Sequence, residues 1–270
     1  MNNDIEKKFA IYGISSIKKP LIVAFANWSY LPVLRNWIEG LSRLAINNFI
    51  IISLDEQLHE YLLTKGYRTV LLDNVENLCE LWRLRIIVFK FLVDHNIDFI
   101  HSDVDAVWFK NPIPEYYDPF PSIDLMISQG TIWPENVQRL WGFVVCCGFF
   151  IVRSSPAMKI IWDKLENSVV QTGDDQISMN YVIAGENIRW QIQSKYHVVF
   201  GKYRLLCSDR VMEGKGDTIT VGVLPFRKFP RLHIPNSEPY ISHVLTPKES
   251  KPKIEMLRNV GAWFLDNESG

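Results

Sequence analysis

Short apolar runs alternate with helical patterns along the first part of the chain, and this alternation constrains the fold more than any other feature. An apolar run without polar interruption is typical of a strand buried on both faces. Residues 21–25 are such a run, and further strands are predicted at residues 49–52, 69–72 and 98–102. The helices predicted between them are residues 31–44, 58–65 and 80–94. Strands that alternate with helices build parallel sheets, so the sequence predicts an α/β fold with a mostly parallel central sheet flanked by helices.

The second part of the chain continues this pattern less regularly. Residues 125–127 and 143–152 are predicted as strands, and residues 156–168 as a helix with Pro at its first turn. A further helix is predicted from Asp174 to about residue 183, and a last one over residues 251–259, whereas the pattern after residue 190 is weak. With 270 residues, 47% of them hydrophobic, the chain is predicted to be a single domain, 1–270.

Charge and hydropathy exclude some classes of function. The formal net charge is −1, without a basic segment, so the sequence predicts no nucleic-acid partner. The first eight residues lack the apolar core of a signal peptide, and the apolar run 143–152 is too short to span a bilayer. We expect a cytoplasmic protein without a membrane span, for which peripheral association stays open. The four cysteines form no metal-type pair and are expected to be buried thiols.

The pair Asp103 and Asp105 follows the strand predicted over residues 98–102. Side chains at i and i+2 point the same way in extended backbone, and open α/β sheets bind ligands at the carboxyl ends of their strands. Carboxylates suit Mg²⁺ or Mn²⁺, which could neutralise charge on a leaving diphosphate. A nucleotide-sugar donor fits that need.

Alternative interpretations of this pair stay open. Acidic pairs are often solvated turn residues. Phosphatases of the haloacid-dehalogenase type also use an Asp-x-Asp pair, with a nucleophilic and an acid/base Asp, but theirs ends the first strand and precedes Gly or Thr. Here three predicted strands come first, and Ala106 follows the pair. A third interpretation is a non-catalytic module that binds a nucleotide sugar.

The segment from Trp82 to Pro112 resembles the nucleotide-diphospho-sugar transferase domain of glycosyltransferase family 77. The resemblance extends over roughly residues 20 to 262, with further blocks in the family's order. These blocks are Ala26-Asn27-Trp28-Ser29-Tyr30, Cys147-Gly148-Phe149-Phe150, Gly173-Asp174-Asp175-Gln176, and Ile241-Ser242-His243 followed by Lys253. The ordered set is far more specific than any single block.

The resemblance implies a Rossmann-like fold of the GT-A type and an enzyme that transfers a sugar with retention at the anomeric carbon. The implied donor is a nucleotide sugar, most simply a UDP-sugar, the implied cofactor is Mn²⁺ or Mg²⁺, and the acceptor is a carbohydrate, glycolipid or protein. Residues 20–110 would form the nucleotide-binding half and residues 111–262 the acceptor-side half.

The resemblance also assigns roles to individual residues. Asp103, Asp105 and His243 would bind the metal, and Asp175 and Gln176 would act in catalysis. The residues expected to contact the donor or its metal are Ala26, Asn27, Tyr30, Arg85, Asp103, Val104, Asp105, Gly148, His243 and Lys253.

Structural roles compete with several of these assignments. His243 could be a structural histidine, and an Asp at a helix start could be an N-cap. His101 could lie beside the metal pair or only pack in the sheet. Either Arg83 or Arg85 could reach the diphosphate, since a guanidinium suits phosphate oxygens. Cys146 stands where relatives often carry Asn, which leaves the sugar preference open.

Overall fold

The computed structural model of the chain describes residues 6–9, 20–72, 75–235, 237–245 and 249–265. In these segments the strands are β1 (Leu21–Ala26), β2 (Phe49–Ser53), β3 (Thr69–Leu71), β4 (Phe99–Ser102), β5 (Val107–Trp108), β6 (Leu125–Gln129), β7 (Val145–Val152), β8 (Arg189–Gln191), β9 (Lys195–Phe200), β10 (Tyr203–Ser208), β11 (Met212–Lys215), β12 (Thr220–Val223) and β13 (Ile241–Ser242). The helices are α1 (Leu31–Arg43), α2 (Glu56–Thr64), α3 (Leu78–Asp94), α4 (Glu135–Trp141), α5 (Pro156–Thr172), α6 (Asp175–Ala184) and α7 (Ser250–Asn259). A 3₁₀ turn spans Trp28–Tyr30, and a π-helical turn spans Ile113–Tyr117.

The described residues build a mixed nine-stranded sheet in the order β3-β2-β1-β4-β7-β6-β12-β11-β8. β3, β2, β1 and β4 are parallel, as predicted, because each crossover between them is a helix. β7 runs antiparallel between β4 and β6. The predicted α/β class, with largely parallel central strands, is confirmed.

Two apolar clusters cover the two faces of the sheet. One is shared with α3, α5 and α6, and the other with α1, α2 and α7. Every residue of β1, β2, β4 and β7 is buried, which explains why these strands are mainly apolar. Ser53, His101 and Ser102 are buried polar residues at the ends of β2 and β4.

Side-chain caps set the starts of several helices. Asp55, Asn77, Ser155 and Asp174 each accept a hydrogen bond from the backbone N–H three residues further on. Because Asp55 caps the helix, α2 begins at Glu56, two residues before the start predicted at residue 58.

A small antiparallel pair outside the main sheet joins two distant segments. In this pair β5 lies against β13, with Trp108 opposite Ile241 and Val107 opposite Ser242. The pairing places the residue after β13 beside the turn that follows β4. Within the described segments, no helix combines the length and the apolar character that crossing a membrane requires.

Candidate active site

The two aspartates lie in a turn directly after β4. Asp103 donates its backbone N–H to the carbonyl of Gly148 at 2.8 Å, and Ala106 donates to the carbonyl of Asp103 at 2.9 Å. The two aspartates therefore do not continue the extended backbone of β4, the condition under which side chains at i and i+2 point the same way. The turn nevertheless brings the two carboxylates together, because it folds the chain back on itself between them.

His243 completes a cluster with the two aspartates. Its Nε2 lies 3.2 Å from Oδ1 of Asp105 and 3.7 Å from Oδ2 of Asp103. One potential ligand atom from each of the three residues lies within 4.8 Å of the others. The β5–β13 pairing is what carries His243 to this place.

Gly148 leaves the space that the imidazole occupies. A Cβ atom at this position would lie 1.8 Å from Cε1 of His243 and 2.9 Å from Oδ2 of Asp103. Because no side chain tolerates such contacts, the cluster requires glycine here.

The charges of the cluster are mutually stabilised. Burial would raise the pKa values of Asp103 and Asp105, but at Asp103 the attractions of Arg85, His101 and His243 together outweigh burial. His243 and Lys253 do the same beside Asp105, so both pKa values lie below the ordinary range. Burial and the neighbouring charge of Arg231 would lower the pKa of His243, yet the interactions with Asp105 and Cys146 together raise that pKa to about 9. At neutral pH both carboxylates are therefore ionised, as metal ligands must be, whereas His243 carries a proton that it would have to release on binding a cation.

Arg85 connects the metal-type cluster to the start of α6. Its Nη1 donates to Oδ1 of Asp103 at 3.0 Å, and its Nε lies 3.1 Å from Oδ2 of Asp175. Its Nη2 donates to the carbonyl of Cys147 at 2.9 Å. Arg85 is only 3% exposed, whereas Arg83 is exposed, so Arg85 is the arginine that points into the site.

His101 packs beside this arginine. Burial and the charge of Arg85 lower the pKa of His101 to about 4, so its ring is neutral. Its Nε2 lies 2.7 Å from Nη2 of Arg85, and its Nδ1 lies 3.0 Å from the carbonyl of Val23. Since a guanidinium only donates, Nε2 accepts and Nδ1 carries the hydrogen.

The structure separates the roles of the three residues at the start of α6. Asp174 is the N-cap and accepts from the backbone N–H of Ile177 at 2.8 Å. Asp175 is buried, and its carboxylate faces Arg85. Although the attraction of Arg85 lowers the pKa of Asp175, burial has the larger effect and raises that pKa to about 6. Gln176 donates to the carbonyl of Trp133 at 3.0 Å.

A cavity of about 310 Å³ opens beside the cluster. All but one of the residues that the sequence predicts to contact the donor line this cavity. They are Ala26, Asn27, Tyr30, Arg85, Asp103, Val104, Asp105, His243 and Lys253. The exception is Gly148, which lies behind the imidazole of His243. Asp175 and Gln176 do not line it. A larger cavity, of about 480 Å³, lies near the π-helical turn and β11 and shares no residue with this one.

Arg231 also lines the cavity, and the sequence gives no sign of its role. It belongs to the long segment between β12 and β13, where no recognisable motif surrounds it. The prediction of buried cysteines holds for Cys146, Cys147 and Cys207 but is wrong for Cys79, which is exposed.

Comparison with known proteins identifies the family of the chain. The family model of the nucleotide-diphospho-sugar transferases matches residues 44–254. Fold and family model together define a nucleotide-diphospho-sugar transferase domain of the GT-A type. The chain belongs to the nucleotide-diphospho-sugar transferase family, which confirms the resemblance found in the sequence.

Two curated plant proteins from Arabidopsis thaliana are similar to the chain. The arabinosyltransferase XEG113 is 25% identical over 127 residues, 43% of this chain and 20% of that protein. The β-arabinofuranosyltransferase RAY1 is 25% identical over 236 residues, 80% of this chain and 40% of that protein. The chain thus spans less than half the length of either relative.

A solved structure shares the fold. The galactosyltransferase LgtC, in complex with donor and acceptor sugar analogues, matches with a TM-score of 0.53 at 12% identity. The match covers 92% of this chain and 97% of that one. At this identity the likeness supports the fold alone.

Proposed function

We propose that the chain transfers a sugar from a nucleoside diphosphate to an acceptor hydroxyl and that it depends on a divalent cation. The observation that carries this proposal is the cluster of Asp103, Asp105 and His243 at the wall of a cavity that is lined by the residues predicted to contact the donor.

The donor set fits a divalent cation such as Mn²⁺ or Mg²⁺. Two ionised carboxylates and an imidazole offer hard oxygen and nitrogen ligands, and three protein ligands leave positions open for diphosphate oxygens. The space kept free by Gly148 and the ion pairs of Asp103 with Arg85 and of Asp105 with Lys253 fix the ligands. When bound, the cation would neutralise charge on the diphosphate leaving group.

The remaining residues would position the donor and the acceptor. Asn27 and Tyr30 follow β1 at one wall of the cavity, where a nucleobase and ribose would lie. Arg85 holds Asp175 by its ion pair, so Asp175 is fixed next to the diphosphate side of the site. Gln176 would orient sugar hydroxyls through its amide. Retention, which the sequence resemblance implies, would proceed on one face of the sugar, with the departing phosphate accepting the acceptor's proton.

UDP is the proposed nucleotide, and a pentose is the first sugar to test, because both curated relatives are arabinosyltransferases by name. The acceptor would be a carbohydrate, a glycolipid or a protein. A cytoplasmic location is part of the proposal.

The test is release of nucleoside diphosphate from a panel of UDP- and GDP-sugars, pentoses and hexoses, in the presence of Mn²⁺. We expect turnover of at least one UDP-sugar, loss of turnover in Asp103→Asn, and normal turnover in Asp209→Asn. Asp209 is a matched control because it is an exposed aspartate paired with Arg227. Phosphate release from an aryl phosphate without nucleotide would instead favour a phosphatase, and UDP binding without any turnover would favour a binding module.

A further inference from the structure

Arg231 is held beside the metal-binding cluster by the backbone around it. His243 donates its N–H to the carbonyl of Pro230 at 3.1 Å, and Leu245 donates to the carbonyl of Arg231 at 3.0 Å. In addition, Nη1 of Arg231 donates to the carbonyl of His243 at 2.6 Å. The two backbone bonds hold the segment of Arg231 against the segment of His243. The side-chain bond holds the guanidinium next to His243, at the wall of the donor cavity.

Two other cations of this cavity are already matched by carboxylates. Arg85 lies between Asp103 and Asp175 and is almost wholly buried. Lys253 donates to Asp105 and is also buried. These cations balance the protein's own acids and leave little charge for a ligand.

Arg231 differs from them in its bonding. Its side chain donates to a carbonyl oxygen, and it has no ion pair with a carboxylate among the residues for which the structure gives positions. Its charge therefore stays uncompensated at the cavity wall. A diphosphate brings negative charge to this wall, and the planar fork of a guanidinium matches phosphate oxygens better than any other side chain does.

We propose that Arg231 binds the diphosphate of the nucleotide-sugar donor and stabilises the negative charge on the departing nucleoside diphosphate. The proposal rests on the proposed function and adds a residue that no sequence block identifies. Arg231 would act alongside the metal, from the segment that precedes β13.

Calorimetric titration of uridine, UMP and UDP in Mn²⁺ tests this role. In Arg231→Gln we expect the affinity for UDP to fall by roughly tenfold or more, since one partner of a close charge pair is lost. The affinity for uridine should not change, and Arg231→Lys should recover part of the loss for UDP. Arg227→Gln is the matched control: it removes the same charge from the same segment, at a side chain that is 53% exposed and paired with Asp209.

A purely structural role for Arg231 would give a different pattern. If Arg231 only held His243 in place, Arg231→Gln would weaken Mn²⁺ binding in the absence of nucleotide, and if it only held the site together it would weaken uridine and UDP alike; either result overturns the proposal. Equal losses in Arg227→Gln and Arg231→Gln overturn it as well. If the wild type does not bind UDP with Mn²⁺, the proposed function falls together with this proposal. If the wild type binds UDP and Arg231→Gln binds it equally well, only the role of Arg231 falls.

Discussion

The Nε2 atom of His243 lies 3.2 Å from Oδ1 of Asp105, although one residue follows β13 and the other follows β4. The short β5–β13 pair brings these segments together. The candidate metal site therefore depends on two distant parts of the chain being folded at once, and variants on either side of this contact test the account.

Replacing His243 by Ala should weaken metal binding. One of three proposed protein ligands is lost, while the carboxylates stay in place, so we expect the affinity for Mn²⁺ to fall at least roughly tenfold. The electron paramagnetic resonance signal of free Mn²⁺ measures this directly. His197→Ala is the control, because His197 is exposed on β9. An unchanged affinity in His243→Ala would exclude His243 as a ligand.

Gly148→Ala should disrupt the site although it adds only one methyl group. The added methyl group would overlap the imidazole of His243, so His243 or the backbone of β7 must move. Overpacking of this kind costs about 1–3 kcal/mol of folding free energy, and turnover of the donor should be lost. Urea unfolding and nucleotide release measure the two effects.

Gly185→Ala provides the comparison for that variant. A methyl group there makes only ordinary contacts, at 3.4 Å and 3.5 Å, with carbonyl oxygens of the preceding turn. Both stability and turnover should stay close to the wild type. Equal behaviour of the two variants would show that the space at Gly148 is not needed.

Arg85→Lys should be strongly destabilising although it keeps the charge. A single ammonium cannot reach Asp103, Asp175 and the Cys147 carbonyl together, so at least one buried acid loses its partner. Loss of a partner in a buried ion pair costs about 3–5 kcal/mol. Chemical denaturation measures this cost. Arg83→Lys, two residues earlier on α3 and exposed, should have almost no effect, and a similar cost in both variants would contradict the central role of Arg85.

Glu186 should contribute stability that depends on pH. Burial alone would raise the pKa of Glu186, but hydrogen bonds from Lys164 and from the backbone of Thr218 lower it below the ordinary value of 4.5. A carboxyl whose pKa is lower in the folded state stabilises it above the unfolded pKa and loses that contribution as pH falls. Glu186→Gln should therefore cost about 1–2 kcal/mol at pH 7, and the difference from the wild type should shrink as pH falls below 4.5.

Urea unfolding at a series of pH values from 7 to below 4.5 checks this behaviour. Glu39→Gln removes an exposed partner of Arg43 on α1 and should cost only about 0.5 kcal/mol at any pH. A difference for Glu186→Gln that grows on acidification would contradict the sign of the shift.

The parallel half of the fold could be predicted because its strands are buried on both faces and its helices have clear ends. β1, β2 and β3 appear as short, mostly apolar runs that are each followed by a helical pattern, and β4 is a mostly buried segment that directly precedes the acidic pair. The strands from β8 to β12 lack this signal. β9, for instance, alternates exposed and half-buried residues over only six positions. α4 was missed because it has seven residues between Pro134 and Gly142.

For the site, the sequence identified residue types but not their contacts. The resemblance assigned Asp103, Asp105 and His243 to one metal site. The structure places one potential ligand atom from each of them close enough together to bind the same cation. The turn at Val104 differs from the extended backbone for which the directions of the two carboxylates were compared. Arg231 could not be found at all, since its position depends on hydrogen bonds to the distant segment 243–245.

The central claim is that Asp103, Asp105 and His243 bind a nucleotide sugar through a divalent cation. Calorimetric titration of UDP into the wild-type protein, once with Mn²⁺ and once with a chelator, tests it most directly. The account predicts binding that requires Mn²⁺ and is lost in Asp105→Asn. UDP binding of equal strength in the chelator, or unchanged in Asp105→Asn, would contradict it.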